Sequence, residues 1–275
     1  MSTNNMIGNA VCWNITNICN RNCQYCFREL NENAQSLETN LGILNNLKEI
    51  GVKKITFSGG EPFIYPYIIN LMAKAKEYGM TVNVVTNGSL LKEDNVEYYL
   101  QYVDKVSFSC DSPRRYINDQ IGRGEDSYDH IKEIIPHIRK YYDKDRLLID
   151  INTVVTYDPD GLYRELDYMI DAIRNELLNN SINKWKIIRF YPLRGKAKDN
   201  KNKFYVPDEK FIEIKKEYET DSEYLKIDVR NFDSLDNNVI VSPCGIIKVS
   251  RDGEEIPILD LKPAKRMEEG ANRVQ

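Results

Sequence analysis

Apolar and β-branched runs bounded by turn residues recur at Ala10–Thr16, Lys54–Phe57, Thr81–Thr86, Lys105–Ser109, Leu147–Val155 and Trp185–Phe190. Runs this short, nearly continuous in apolar character, suit strands buried on both faces. Between them apolar residues fall three or four apart, as with Leu37, Leu41, Leu44 and Leu47, or Ile131, Ile134, Ile135 and Ile138, which is the spacing of one helix face. Six strands alternating with amphipathic helices predict a parallel sheet with right-handed crossovers, either an α/β barrel or a doubly wound sheet. Pro136 is expected to remove one hydrogen bond from its helix and kink it.

The pattern changes near residue 195. Gly195–Val206 is rich in lysine and asparagine and reads as an exposed loop, followed by a helix entered near Asp208. Tyr224–Arg230, Asn238–Val241 and Gly245–Ser250 read as short strands, with a turn at Asp252-Gly253. The expectation is a core over residues 1–194 and an extension over 195–275 that packs as a cap on the active face. The last dozen residues have the composition of a disordered tail. There is no internal repeat.

At 275 residues one domain is the default, with enough chain to bury a core without staples. The formal net charge is only −4 and both signs are mixed along the chain, so no global field draws it to nucleic acid or an anionic membrane. No apolar run is long enough to span a bilayer, and the N-terminus lacks the features of a signal peptide. The expected location is the cytoplasm, where six cysteines are better explained by metal or chemistry than by disulfides.

Three of them stand together in Cys19-Asn-Arg-Asn-Cys23-Gln-Tyr-Cys26, directly after the first strand. That places three thiolates at the C-terminal end of a strand, the active face of a barrel. Iron–sulfur clusters are usually held by four thiolates, so three leave one iron open. A structural zinc site is the alternative, but His130 and His137, the only histidines, lie far along the chain and make a fourth ligand hard to supply. The second strand ends in Ser58-Gly59-Gly60-Glu61-Pro62, where two glycines admit a close approach to the backbone and a carboxylate can meet an ammonium group. The alternative is an ordinary tight turn before a helix-starting proline.

Cysteines spaced in this way, with Tyr25 before the last and a Gly-Gly-Glu-Pro strand end one βα unit later, resemble the radical S-adenosylmethionine (SAM) superfamily. The resemblance implies a partial (β/α)6 TIM-like barrel, a [4Fe–4S] cluster on Cys19, Cys23 and Cys26, and SAM chelating the open iron with its amino group held by Gly59, Gly60 and Glu61. It also implies an electron donor such as flavodoxin or ferredoxin. Further segments, among them Val11–Phe27, Lys54–Phe63, Asn87-Gly88-Ser89, Ser109-Cys110-Asp111-Ser112, Ile121-Gly122-Arg123-Gly124, Ile151-Asn152-Thr153 and Trp185-Lys186, look like the viperins. That family dehydrates a nucleoside triphosphate, commonly CTP, to a 3′-deoxy-3′,4′-didehydro nucleotide used in antiviral defence. By that resemblance Tyr25, Asn87, Ser109 and Asn152 join the SAM site, and Arg123 and Lys186 lie near the nucleotide.

The residues themselves leave alternatives. Arg123, in a glycine-flanked loop before Ser127, suits a phosphate site or a surface turn; Lys186 points into the barrel or out to solvent; Arg189, Arg194 and Lys196 are further anion candidates or surface charges. Asn70 and Asp150 stand where animal viperins place a phosphate-binding lysine, and a carboxylate facing a triphosphate opposes binding. Cys12 and Cys110 read as small buried hydrophobes and Cys244 as a turn cysteine. No residue is assigned as the catalytic acid. The rival readings are a radical SAM enzyme acting on a peptide or protein, disfavoured as a peptide maturase because Cys244 is the only cysteine after Cys110, and a nonenzymatic metal-binding scaffold.

Overall fold

The computed structural model describes residues 9–28, 35–156, 165–177, 182–222, 225–231, 239–251 and 254–260. In chain order its elements are β1 (Ala10–Thr16), α1 (Leu37–Glu49), β2 (Lys54–Gly59), α2 (Ile68–Glu77), β3 (Thr81–Thr86), α3 (Val96–Leu100), β4 (Lys105–Ser109), α4 (Arg115–Gln120), α5 (Ser127–Tyr141), β5 (Leu148–Val155), α6 (Glu165–Ala172) and β6 (Lys184–Arg189). After these come α7 (Gly195–Asp199), α8 (Lys201–Phe204), α9 (Asp208–Tyr218), β7 (Thr220–Asp221), β8 (Lys226–Arg230), β9 (Val239–Val241), β10 (Ile246–Arg251) and β11 (Glu254–Asp260). The expected α/β fold with a parallel core is present, and every predicted strand of the core lies within two residues of its predicted place.

All strands join one sheet in the order β11-β10-β9-β1-β2-β3-β4-β5-β6-β8-β7. From β9 across to β8 each neighbouring pair is parallel, and antiparallel β10, β11 and β7 border this parallel stretch. The strands read as a cap therefore extend the barrel sheet at both edges: β8 pairs with β6, and β9 pairs with β1. The physical reason is that a six-stranded core leaves two rows of unpaired backbone groups, and strands with alternating burial satisfy them. The turn at Asp252-Gly253 and the terminal dozen residues lie outside the described residues.

Alternation sets which side of the sheet each residue serves. On one side Trp13, Phe57, Val84, Phe108, Ile151, Trp185 and Ile187 are fully buried; Trp13 stacks on Phe57 at 5.9 Å between ring centroids, and Trp185 meets Tyr218 of α9 edge-on at 6.4 Å. This is the helix-covered outer side, where each fully buried side chain contributes roughly 1.5–3 kcal/mol. The intervening positions, from Asn14 and Ser58 to Asn152 and Lys186, face the other, inner side of the sheet and are largely polar.

One local expectation needs correction. Gly195–Val206 is not an open loop; it carries α7 and α8, anchored by the buried Ala197, Phe204 and Val206. In α5 the helix continues through Pro136, which sits on its exposed face, so the lost hydrogen bond falls where water replaces it. Among the described residues no helix is long and apolar enough to cross a membrane.

Candidate active site

The cysteine loop leaves the C-terminal end of β1 and is fastened on several sides by backbone hydrogen bonds. Gly60 N donates to Thr16 O at 2.6 Å and Glu61 N to Ile18 O at 2.8 Å; Asn22 N and Gln24 N donate to Gly122 O and Ile121 O at 3.0 and 2.9 Å; Ala197 N reaches Cys26 O at 3.1 Å. Such approaches leave no room for side chains. A Cβ on Gly60 would lie 2.0 Å from Ile18 O, one on Gly122 2.4 Å from Asn22 O, and one on Gly195 2.5 Å from Arg28 O. The Gly-Gly pair at the end of β2 thus serves the loop itself.

Gly122 also has φ +74°, where an L side chain is strained. Gly122→Ala is expected to destabilise the chain by about 1–3 kcal/mol and, by pushing Asn22 away, to lower uptake of the iron–sulfur cluster that the cysteine spacing implies by at least about half. Gly79→Ala is the control, since Gly79 has φ +73° with nothing within 4 Å of its Cβ. It should lower thermal stability and leave iron uptake unchanged; equal iron loss in both variants would show that the contact with Asn22 is irrelevant.

Around the loop lies a set of buried polar groups. Glu61 is wholly buried: Thr86 Oγ1 donates to it at 2.7 Å, Asn87 N at 2.9 Å and Phe63 N at 3.2 Å. Burial pushes its carboxyl up against the opposing pull of these donors. It ties the ends of β2 and β3 together. Asn87, at 6 % exposure, points its amide at Cys19 Sγ (3.8 Å) and Asn20 Oδ1 (2.9 Å). Tyr25 is buried with its hydroxyl on Asp111, and Arg123 Nη2 reaches both that hydroxyl (3.1 Å) and Asp111 Oδ2 (2.7 Å). Burial alone would lower the Arg123 pKa, but Asp111 and the Tyr25 hydroxyl carry it well above its ordinary value. The structure therefore places Arg123 in a buried ion pair beneath the cysteine loop, not in an open turn facing solvent.

On the inner side, Ser109, Asn152, Lys186 and Asp228 stand in register across β4, β5, β6 and β8. Asn152 Oδ1 is buried with no hydrogen-bond partner, a position a bound ligand's donor would satisfy. One step deeper are charges. Asp150 accepts from Lys186 Nζ at 2.6 Å and faces Lys105 Nζ at 3.4 Å; Asp228 faces Arg230 at 2.6 Å and Lys184 at 3.7 Å. Burial lowers the Lys186 pKa, with Asp150 opposing that shift.

Within this cluster four cations share two carboxylates, an excess of two positive charges. Asp150 is thus neutralised in place. Lys105, Lys184, Asp228 and Arg230 escaped the sequence reading, although each alternates with buried valine, isoleucine or tryptophan.

Arg189 is not brought to this surface. It shares the outer parity of Trp185 and Ile187, and its guanidinium binds Val206 O and Asp208 (2.6 Å). Arg194 does approach the site: its Nε donates to Phe27 O at 2.7 Å, and it lines a recess with Asn14, Asn17, Ser242 and Lys248. Lys196 binds Asn22 Oδ1. Cys110 is buried as expected, Cys12 has its thiol pushed up to about 11 by burial, and Cys244 Sγ lies 3.0 Å from Ser242 Oγ.

The donor set suits an iron–sulfur cluster. Among the described residues no three His, Cys, Asp or Glu side chains converge on a single ion, but in a [4Fe–4S] cube each thiolate binds a different iron and no such convergence is required. The three thiols share one loop, and the Asn87 amide on Cys19 is the kind of outer hydrogen bond that tunes such ligands.

Comparison with known proteins gives the family and the fold. The chain is 29 % identical over 289 residues to a protein of Flammeovirga pacifica described as an S-adenosylmethionine-dependent nucleotide dehydratase, covering 98 % of this chain and 92 % of that one. A protein of Lacinutrix mariniflava with the same description is 27 % identical over 74 % of this chain, which spans only 43 % of its length. Among solved structures, Streptococcus suis SuiB bound to S-adenosylmethionine superposes with a TM-score of 0.67 at 19 % identity, over 88 % of this chain and 60 % of that one; at that identity the likeness speaks for the fold. The sequence profile of the radical SAM superfamily matches residues 13–169, a span that takes in the cysteine loop, Glu61, Asn87, Ser109 and Asn152, and so the chain belongs to the radical SAM superfamily and is a radical SAM enzyme.

Proposed function

We propose that Cys19, Cys23 and Cys26 hold a [4Fe–4S] cluster with SAM beside it, and that the chain removes water from a nucleoside triphosphate. When bound, the cluster and SAM would supply a radical able to take a hydrogen atom from the substrate, here by family resemblance the ribose 4′ hydrogen; the 3′ hydroxyl would then leave with a proton as water, and one further electron from the reductant would close the 3′,4′ double bond. The observation that carries the substrate class is the inner surface. Lys186 and Arg230, held by Asp150 and Asp228 and backed by Lys105 and Lys184 at the starts of their strands, outnumber the carboxylates they share, an excess of positive charge that suits a polyanion. The Ser109–Asn152 row above them, with its unpartnered Asn152 Oδ1, leaves polar positions for SAM and the sugar. Curated relatives described as SAM-dependent nucleotide dehydratases support the same reading. A product that terminates viral nucleic acid synthesis would give it a role in antiviral defence.

A second reading, modification of a peptide, draws on the solved structures, which include SuiB bound to its precursor peptide. A neutral or basic peptide gains nothing from a positive inner surface. The two readings separate on one test: whether nucleoside triphosphates or peptides raise 5′-deoxyadenosine formation by the reconstituted, dithionite-reduced enzyme. Stimulation by peptides and not by nucleotides would favour the second.

A further inference from the structure

The lysine-rich segment over the cysteine loop has no part in the inner surface. Lys196, Lys198, Lys201 and Lys203 fall within eight residues, with Asp199 as the one acid among them, on a chain whose formal net charge is −4. Lys198, Lys201 and Lys203 are exposed. Lys203 Nζ donates to Gln24 Oε1 at 2.6 Å and Lys196 to Asn22 Oδ1, both neutral partners, and none of the four lysines makes an ion pair among the described residues. Their charge stays uncompensated.

This basic segment is bonded to the loop that carries the cysteines: Ala197 N to Cys26 O at 3.1 Å, Asn200 Nδ2 to Gln24 O at 2.8 Å, Arg194 Nε to Phe27 O at 2.7 Å. On the same loop, Ile18 and Phe27, the neighbours of Cys19 and Cys26, are 62 % and 48 % exposed. Two exposed apolar side chains beside a basic rim match the anatomy of a transient protein interface. Redox encounters use small interfaces of this kind, steered by charge.

We propose that α7 and α8, together with Ile18 and Phe27, form the docking surface for an acidic one-electron carrier protein that reduces the cluster on this loop. The inference rests on the reading that Cys19, Cys23 and Cys26 bind a cluster. One electron leaves the carrier's reduced flavin or iron–sulfur centre and enters the cluster; no bond is made or broken. Lysines alone would attract nucleic acid as well, but the exposed apolar pair and the bonding to the cysteine loop favour a protein partner.

The test uses flavodoxin as the carrier and the full chain carrying Lys198→Glu with Lys201→Glu. Flavodoxin binding is measured with and without iron in the chain, at low and high ionic strength, alongside the rate at which reduced flavodoxin bleaches the cluster. The double variant is expected to lose on the order of tenfold in affinity and in reduction rate, with the wild-type affinity falling as salt rises, while SAM cleavage driven by dithionite stays within about twofold of wild type. Lys198→Gln with Lys201→Gln should fall between the two and guards against misfolding of the charge-reversed chain. Equal binding and reduction in all three chains would overturn the proposal, as would a single-stranded oligonucleotide that displaces flavodoxin at concentrations below those at which flavodoxin binds. None of these readouts involves a nucleoside triphosphate, so a chain that docks flavodoxin and ignores nucleotides would lose the nucleotide reading and keep this one.

Discussion

Cys23→Ala is expected to give a folded chain that takes up no [4Fe–4S] cluster and makes no detectable 5′-deoxyadenosine from SAM. The loop around Cys23 is held by backbone groups of Asn22, Gln24 and Cys26 on Ile121, Gly122 and Ala197, none of which the substitution touches. The change removes one sulfur and little else, so thermal unfolding should stay within a few degrees of the cluster-free wild type. Loss of chemistry follows from loss of a ligand that a cluster with only three protein thiolates cannot spare. Cys110→Ala is the contrast. Its thiol is 1 % exposed on the chain after β4, and its removal should lower stability through a small cavity while leaving the iron content intact. Iron and sulfide analysis of both variants checks this, and full cluster loading in Cys23→Ala would remove that residue from the ligand set.

The second large effect is expected at Lys186. Lys186→Met keeps the length of the side chain and deletes the charge that lies 2.6 Å from the buried Asp150. Asp150 is then left with Lys105 at 3.4 Å, and the excess of positive charge around it drops from two to one, with a partly uncompensated carboxylate set against the phosphates of the proposed substrate. Deleting a cation that meets the phosphates of the proposed substrate costs about 2–5 kcal/mol of binding, so kcat/KM for the nucleoside triphosphate should fall roughly 30-fold or more, at about 1.4 kcal/mol per decade. Adding Asp150→Asn to Lys186→Met removes the stranded charge and should recover part of the loss. Steady-state kinetics on the single and double variants decide it; a double variant no better than the single would mean that Asp150 has no influence on the substrate.

Much of this architecture was legible because strands buried on both faces and helices with one apolar stripe write different periods into the sequence. The cysteine loop was legible because its chemistry depends on spacing within a few residues. Partners distant in sequence were not legible. Tyr224–Arg230 and Asn238–Val241 read as strands, yet nothing local says that one joins β6 and the other β1, so a cap was expected where the sheet continues. The helices α7 and α8 bury only Ala197 and Phe204, too few apolar positions for a helical period to show among lysines and asparagines. Arg123 sits in a turn by its neighbours alone; its burial depends on Asp111 and on Tyr25, 98 residues away. Arg189 is different, because its outward parity with Trp185 and Ile187 was written in the strand and outweighs its place at the strand end.

The measurement that bears most directly on the central claim is anaerobic incubation of the reconstituted enzyme with dithionite, SAM and each nucleoside triphosphate in turn, read by mass spectrometry. The inner surface around Lys105, Asp150, Lys186 and Arg230 predicts that one nucleotide raises 5′-deoxyadenosine and yields a product lighter by one water. Unchanged 5′-deoxyadenosine with every nucleotide, and no such product, would contradict it.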